Sequence, residues 1–185
     1  MRRLVTMTAA AVVAGCATAP TTVTTTALAF RPVQAYFSIS GRLAAKNGED
    51  ALSGKFAWQH APASDRWDFY SPLGQLVARL TRNGETATLV TSNGEQIVEP
   101  VETLIARVLG VAVPVASLPR WVQGGVVARE DVREQDAVGR PLRIADDGWQ
   151  VRYLAYASDA PDARPRSIEV SRGEARLKLI VDQWQ

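Results

Sequence analysis

The chain has 185 residues, 46% apolar and 22% charged, with 13 Gly and 10 Pro. That is enough for one good core and too little for two comfortable ones. Against 21 basic residues stand 19 acidic ones, and the resulting net charge of +2 is too small, and its carriers too scattered along the chain, for a nucleic-acid footprint. A single Cys excludes an internal disulfide and a multi-cysteine metal site, and a single His argues against a histidine-built zinc site.

Arg2 and Arg3 precede an apolar run from Leu4 to Ala14 interrupted only by Thr6 and Thr8. As a helix it would rise about 16 Å, roughly half the hydrocarbon thickness of a bilayer. A basic start, a short apolar stretch and small residues at its end predict a secretory signal over residues 1–15. Val13-Ala14-Gly15-Cys16 resembles a bacterial lipobox, although Val stands where Leu is favoured. The resemblance implies cleavage before Cys16, a diacylglycerol thioether on its sulfur, and an acylated α-amino group. Two or more acyl chains give stable anchoring at about 0.8 kcal/mol per buried methylene. Ala17 is not the Asp that resembles an inner-membrane retention signal, which implies export to the outer membrane. Loss of Arg2 and Arg3 leaves basic and acidic residues balanced at 19 each, so specificity is expected to rest on apolar shape, with charge steering only from local patches.

Residues 16–29 are the expected lipidated Cys and tether. Ala17 to Ala29 carries six Thr, one Pro and no charge, too little apolar surface to offset its ordering entropy. Fully extended it reaches roughly 45 Å. Residues 30–185 are expected to form a single domain. Its dominant period is two: Phe37, Ile39, Gly41, Leu43 and Ala45; then Leu52, Gly54, Phe56 and Trp58; Trp67 and Phe69; and Leu76, Ala78 and Leu80. Near the end follow Trp149, Val151, Tyr153 and Ala155, then Ala175, Leu177, Leu179 and Val181. These are half-buried antiparallel strands, punctuated at Asn47-Gly48, Asn83-Gly84, Asn93-Gly94, Asp147-Gly148 and Arg172-Gly173.

Two patches are helical instead. Val101 to Leu109 places Val101, Leu104, Ile105 and Val108 at helical spacing, with Pro100 before it and Gly110 after it. Val115 to Val122 offers Leu118, Trp121 and Val122, with Pro119 limiting its length. No strand–helix–strand alternation appears, so the expected fold is mainly β: an incomplete, curved antiparallel barrel with a small helical part over one end or face.

Catalytic chemistry finds little support. His60 is expected in an exposed polar connection, Gln59 to Asp65. No nucleophile elbow, phosphate loop or dinucleotide fingerprint is present. Asp146-Asp147-Gly148 reads as a hairpin turn, and the mixed-charge run Arg129 to Asp136 as a solvated strand or loop. The five Trp, with Phe37, Phe56, Phe69 and Tyr153, are large apolar groups that either fill a barrel or line an apolar ligand cavity.

The order of short motifs narrows this. Phe37-x-Ile39-x-Gly41-Arg42-Leu43-Ala44 precedes Ser53-Gly54-x-Phe56-x-Trp58-Gln59, Asp65-Arg66 and Ser71-Pro72-Leu73-Gly74-Gln75. Then come Leu109-Gly110, Pro114-Val115, Leu118-x-x-Trp121-x-x-Gly124, Gly148-Trp149-x-Val151-x-Tyr153, and Leu177-Lys178-Leu179-Ile180-Val181-Asp182-x-Trp184. Each is weak alone; the ordered set resembles the LolB family of outer-membrane lipoprotein receptors over nearly the whole folded region. The resemblance implies a helical lid over an apolar cavity and no enzymatic activity, cofactor or nucleotide. It implies a monomer on the periplasmic face of the outer membrane, anchored through Cys16. Its expected partners are a LolA-like periplasmic carrier, acylated lipoprotein cargo and outer-membrane lipid, with no nucleic acid. In the family the Leu of the Pro72-Leu73-Gly74 connection protrudes and is tied to membrane insertion of cargo. Cavity candidates are Ile39, Leu43, Phe56, Trp58, Trp67, Phe69, Leu104, Val108, Trp121, Tyr153 and Leu179; Trp184 is expected to tie the last strand into the sheet. Two competing readings remain at this stage: an outer-membrane lipoprotein that binds another apolar ligand or partner in envelope assembly, and an envelope hydrolase using carboxylates.

Overall fold

The computed structural model describes residues 32–185; the expected signal over residues 1–15 and the expected lipidated Cys16 and tether over residues 16–29 lie outside the described residues. Alternating large apolar and polar side chains produce five successive antiparallel strands and an edge: β1 (Phe37–Asn47), β2 (Asp50–Ala61), β3 (Ser64–Tyr70), β4 (Leu76–Asn83), β5 (Thr86–Thr91) and β6 (Gln96–Pro100). After the helical segment come β7 (Val132–Gln135), β8 (Pro141–Asp146), β9 (Trp149–Tyr156), β10 (Pro165–Arg172) and β11 (Ala175–Trp184). All belong to one open antiparallel sheet in the order β6-β5-β4-β3-β2-β1-β11-β10-β9-β8-β7. The pairing of β1 with β11 joins the two meanders, and Trp184 lies opposite Ile39 in that ladder.

The edges β6 and β7 are consecutive in sequence, so the chain crosses from one side of the sheet to the other through residues 101–131. That crossing carries α1 (Val101–Leu109) and α2 (Leu118–Val122). Pro100 precedes the first turn of α1, Glu102 lies in that turn, and Gly110 ends the helix with φ 70° while its N–H bonds the Ala106 carbonyl. Val101, Leu104, Ile105 and Leu109 face inward from α1, and Leu118, Trp121 and Val122 from α2, into the same apolar core as the strands. Fully burying each of the large side chains contributes about 1.5–3 kcal/mol. Among the described residues, no helix is long and apolar enough to cross a membrane.

Curvature has local causes. The β1–β11 register shifts between Ser40 and Gly41, and a Cβ on Gly41 would sit 1.9 Å from the Ile180 carbonyl oxygen. The glycine therefore allows a backbone approach that no other residue could make. Further shifts occur beside Tyr70 and around Ser167.

Most expected stripes face the core, with two ends peeling away. Leu76 is 38% exposed and Ala155 is exposed, each beside an irregularity that turns its side chain outward. Strands β5 to β8 and β10 carry shorter or more polar stripes than those singled out in the sequence. The hairpin at Asp147-Gly148 is as expected: both residues have positive φ, 47° and 76°, which the tight connection of β8 to β9 requires. Arg129 to Asp136 forms a short 3-10 turn and the edge strand β7, mostly solvated.

Candidate functional site

The concave face of the sheet and the inner faces of α1 and α2 enclose the large apolar groups. Ten of the eleven cavity candidates are buried: Ile39, Leu43, Phe56, Trp58, Trp67, Phe69, Leu104, Trp121, Tyr153 and Leu179. Val108 is half-buried against them. They pack on one another and on their neighbours. Phe37 meets the Trp58 ring edge-on at 4.9 Å, Trp58 stacks on Trp67 at 5.7 Å, and Trp121 lies 6.1 Å from Trp149. These groups form one continuous apolar cluster.

A cavity of about 850 Å³ opens instead at the rim where the chain enters the fold. None of the eleven candidates lines it. Its wall combines Ala35, Val101 and Val115 with His60, Asp65 and Arg82. It is a mouth of mixed polarity at the edge of an apolar interior.

His60 departs from expectation. Strand β2 runs on to Ala61 and the turn is only Pro62-Ala63, so His60 is a half-buried strand residue rather than part of an exposed loop. His60, Asp65 and Arg82 occupy one rung, with His60 opposite Asp65 and Asp65 opposite Arg82. The buried Asp65 carboxylate accepts from Trp58 Nε1 at 2.7 Å and from Arg82 Nε at 2.6 Å, and His60 Nδ1 lies 2.6 Å away. Arg82 also reaches the carbonyls of Ala61, Pro62 and Gly84. The sequence did carry a signal for this cluster: Asp65 shares the inward parity of Trp67 and Phe69, and Arg82 that of Leu80. A carboxylate on an apolar face requires paired donors.

A second unforeseen site fastens the helical segment. Asp146 accepts from Arg120 at 2.5 Å and from Trp121 Nε1 at 2.7 Å, tying α2 to the end of β8. Gln123 bonds the backbone of Gln34 in both directions, at 2.8 and 3.1 Å, holding the end of α2 to the incoming chain. The Tyr153 hydroxyl is buried and, among the described residues, has no hydrogen-bond partner. Burial, reinforced by Tyr156, pushes its pKa far above the ordinary phenol range.

Leu73 occupies the connection between β3 and β4, and 90% of its surface is exposed. Ser71 and Gln75 close the loop through a backbone bond of 2.8 Å, and the Gly74 N–H bonds the Ser71 carbonyl at 2.8 Å. Gly74 has φ 89°, outside the range of ordinary side-chain-bearing residues. Leu76 and Val77, 38% and 42% exposed, extend the apolar tip. Trp184 packs 5.6 Å from Phe37, and Arg164 lies over its ring at 4.4 Å.

Comparison with known proteins fits this arrangement. The family model described as "Outer membrane lipoprotein LolB" matches residues 35–184. A protein of Azoarcus named outer-membrane lipoprotein LolB is 44% identical over 96% of this chain and 91% of its own length. A protein of the same name from Thiobacillus denitrificans is 38% identical over 83% and 82%. A solved LolA superfamily protein from Nitrosomonas europaea covers 84% of this chain and 88% of its own at 10% identity, with a TM-score of 0.49. The chain belongs to the LolB family of outer-membrane lipoproteins.

Proposed function

We propose that this chain is a receptor rather than an enzyme, held on the periplasmic face of the outer membrane by lipid on Cys16. It takes lipoproteins from a LolA-like carrier, shelters their acyl chains in the apolar interior beneath α1 and α2, and inserts them into the outer membrane. Membership of the LolB family supports this reading. The observation that carries it is an interior of large apolar side chains covered on one side by a crossing segment whose two helices are short. Admitting an acyl chain requires that segment to lift and the inward candidates, Trp121 and Tyr153 among them, to separate. Shelter for each additional methylene favours transfer by about 0.8 kcal/mol. Direction then follows from affinity rising from carrier to receptor to bilayer, with no cofactor in the step.

Mixing purified carrier loaded with acylated cargo, this protein and vesicles tests the proposal. Cargo should pass to the receptor and then to the vesicles. Binding of other apolar ligands without acceptance from the carrier would overturn the assignment.

A further inference from the structure

The chain has three lysines, Lys46, Lys55 and Lys178, and the sheet gathers all of them on its outer face. Lys55 of β2 lies opposite Arg42 of β1, Ala44 lies opposite Lys178 of β11, and Lys46 lies opposite Arg176. These positions alternate with buried Leu43, Ala45, Phe56, Leu177 and Leu179. Three adjacent strands thus present five cations around small residues, Ala44, Ala51 and Ser53. Two shallow grooves, about 470 and 430 Å³, run between them.

Of the carboxylates beside this block, Asp182 accepts from Arg42 at 3.1 and 3.2 Å, and Glu169, opposite Lys178 in the β10–β11 ladder, lies 3.5 Å from Arg152. Among the described residues, none of the three lysines has a hydrogen-bond or ion-pair partner. An ammonium on a flexible stem can meet a mobile anionic surface that a guanidinium fixed in a fork cannot. Gly74 lines the same groove as Arg42 and Lys55, so the block is continuous with the exposed tip of Leu73, Leu76 and Val77. Apolar groups beside free cations fit a lipid surface with anionic headgroups better than an acidic protein, which needs no apolar tip.

We propose that the outer face of β2, β1 and β11 docks on a leaflet containing anionic phospholipid, its lysines meeting the phosphates while the Leu73 tip enters the headgroup region. This rests on the reading that Leu73 acts at the membrane. Each lysine near such a surface strengthens attachment by about fivefold.

Amine acetylation followed by mass spectrometry reads these three side chains directly. The full-length protein is reconstituted in phosphatidylcholine vesicles with or without phosphatidylglycerol. Acetylation at Lys46, Lys55 and Lys178 should slow severalfold in the anionic vesicles and recover at high salt. Equal rates in both vesicles would overturn the proposal, as would protection by the carrier in detergent with none from vesicles. Running Leu73→Glu alongside, with cargo delivery as a second readout, separates the two readings. Normal delivery by that variant with protected lysines removes the Leu73 role and keeps lipid docking. Blocked delivery with unprotected wild-type lysines removes lipid docking and keeps Leu73.

Discussion

Between Pro72, whose ring fixes φ, and Gly74 at φ 89°, the backbone of Leu73 has no route back onto the sheet. Its exposure is a consequence of the turn, so replacing it costs the fold little, within about 0.5 kcal/mol for a surface site. Leu73→Glu should therefore unfold like the wild type and accept cargo from the carrier, yet deliver it poorly to vesicles; delivery at the wild-type rate would remove the residue from the mechanism. Tyr153 is the opposite case, a polar atom enclosed without a hydrogen-bond partner among the described residues. Tyr153→Phe should leave stability unchanged or raise it by about 1 kcal/mol, measured by denaturant unfolding. A loss of that size would mean that the hydroxyl is satisfied in solution. At this scale the sequence was partly legible. Pro72 and Gly74 announce the turn, whereas Asp65, expected in a polar connection, is a strand residue whose parity with Trp67 turns it inward. The His60–Asp65–Arg82 rung was not legible, because it needs the registers of two hairpins at once.

Helix α1 can be read almost to its ends, because Pro100 and Gly110 act locally through fixed φ and left-handed termination. Helix α2 cannot: five residues form no stable helix alone, and its position depends on Asp146 and Gln34, remote in sequence. Asp146 is thus a latch for the crossing segment. Asp146→Asn weakens the acceptor for Arg120 and Trp121, a charged hydrogen-bond contribution of about 1.5–3 kcal/mol. Amide exchange over Leu118–Val122 should accelerate, with strands β1 and β2 keeping their protection, and uptake of an apolar probe should quicken. Unchanged exchange in α2 would show that Asp146 does not hold the cover down.

Across the whole molecule, the charges that hold the sheet together and those left free occupy different side chains. On the outer face Arg66 and Arg79 close on Asp68 at 3.1 and 2.6 Å, and in the β7–β8 connection Arg140 closes on Asp136 at 2.7 Å. Burial opposes the charge on both carboxylates, yet the arginine hydrogen bonds on Asp68, and the Arg140 and Val138 N–H groups on Asp136, hold both below the ordinary value of 3.8. A carboxylate lowered in the folded state stabilises it at neutral pH, and that contribution disappears as the pH falls below the ordinary value through the folded one. The Asp68→Asn, Asp136→Asn double variant should be less stable at pH 7 and lose less further stability on acidification to about pH 3, followed by denaturant midpoints. Parallel pH profiles would show that neither carboxylate carries acid sensitivity. The entry of the chain into the fold belongs to this scale as well. The incoming chain lines the mouth beside Pro62, at the end of β3 opposite the Leu73 loop. Seven strand residues separate the two ends by roughly 20 Å.

The near-neutral charge, the lipobox-like Cys16, the strand stripes, the hairpin turns and the order of family motifs are all properties of neighbouring residues, so the sequence alone determined them. Alternation reports which face of a strand is apolar, because successive side chains point to opposite sides. It does not report what stands across from that face. Only the tertiary structure decided that the β1–β11 pairing joins the two meanders, and that the crossing segment covers their common face. The same pairing assembles three scattered lysines into one cationic block beside an apolar tip. Register between strands far apart in the chain is fixed by the whole core at once, and no local pattern encodes it.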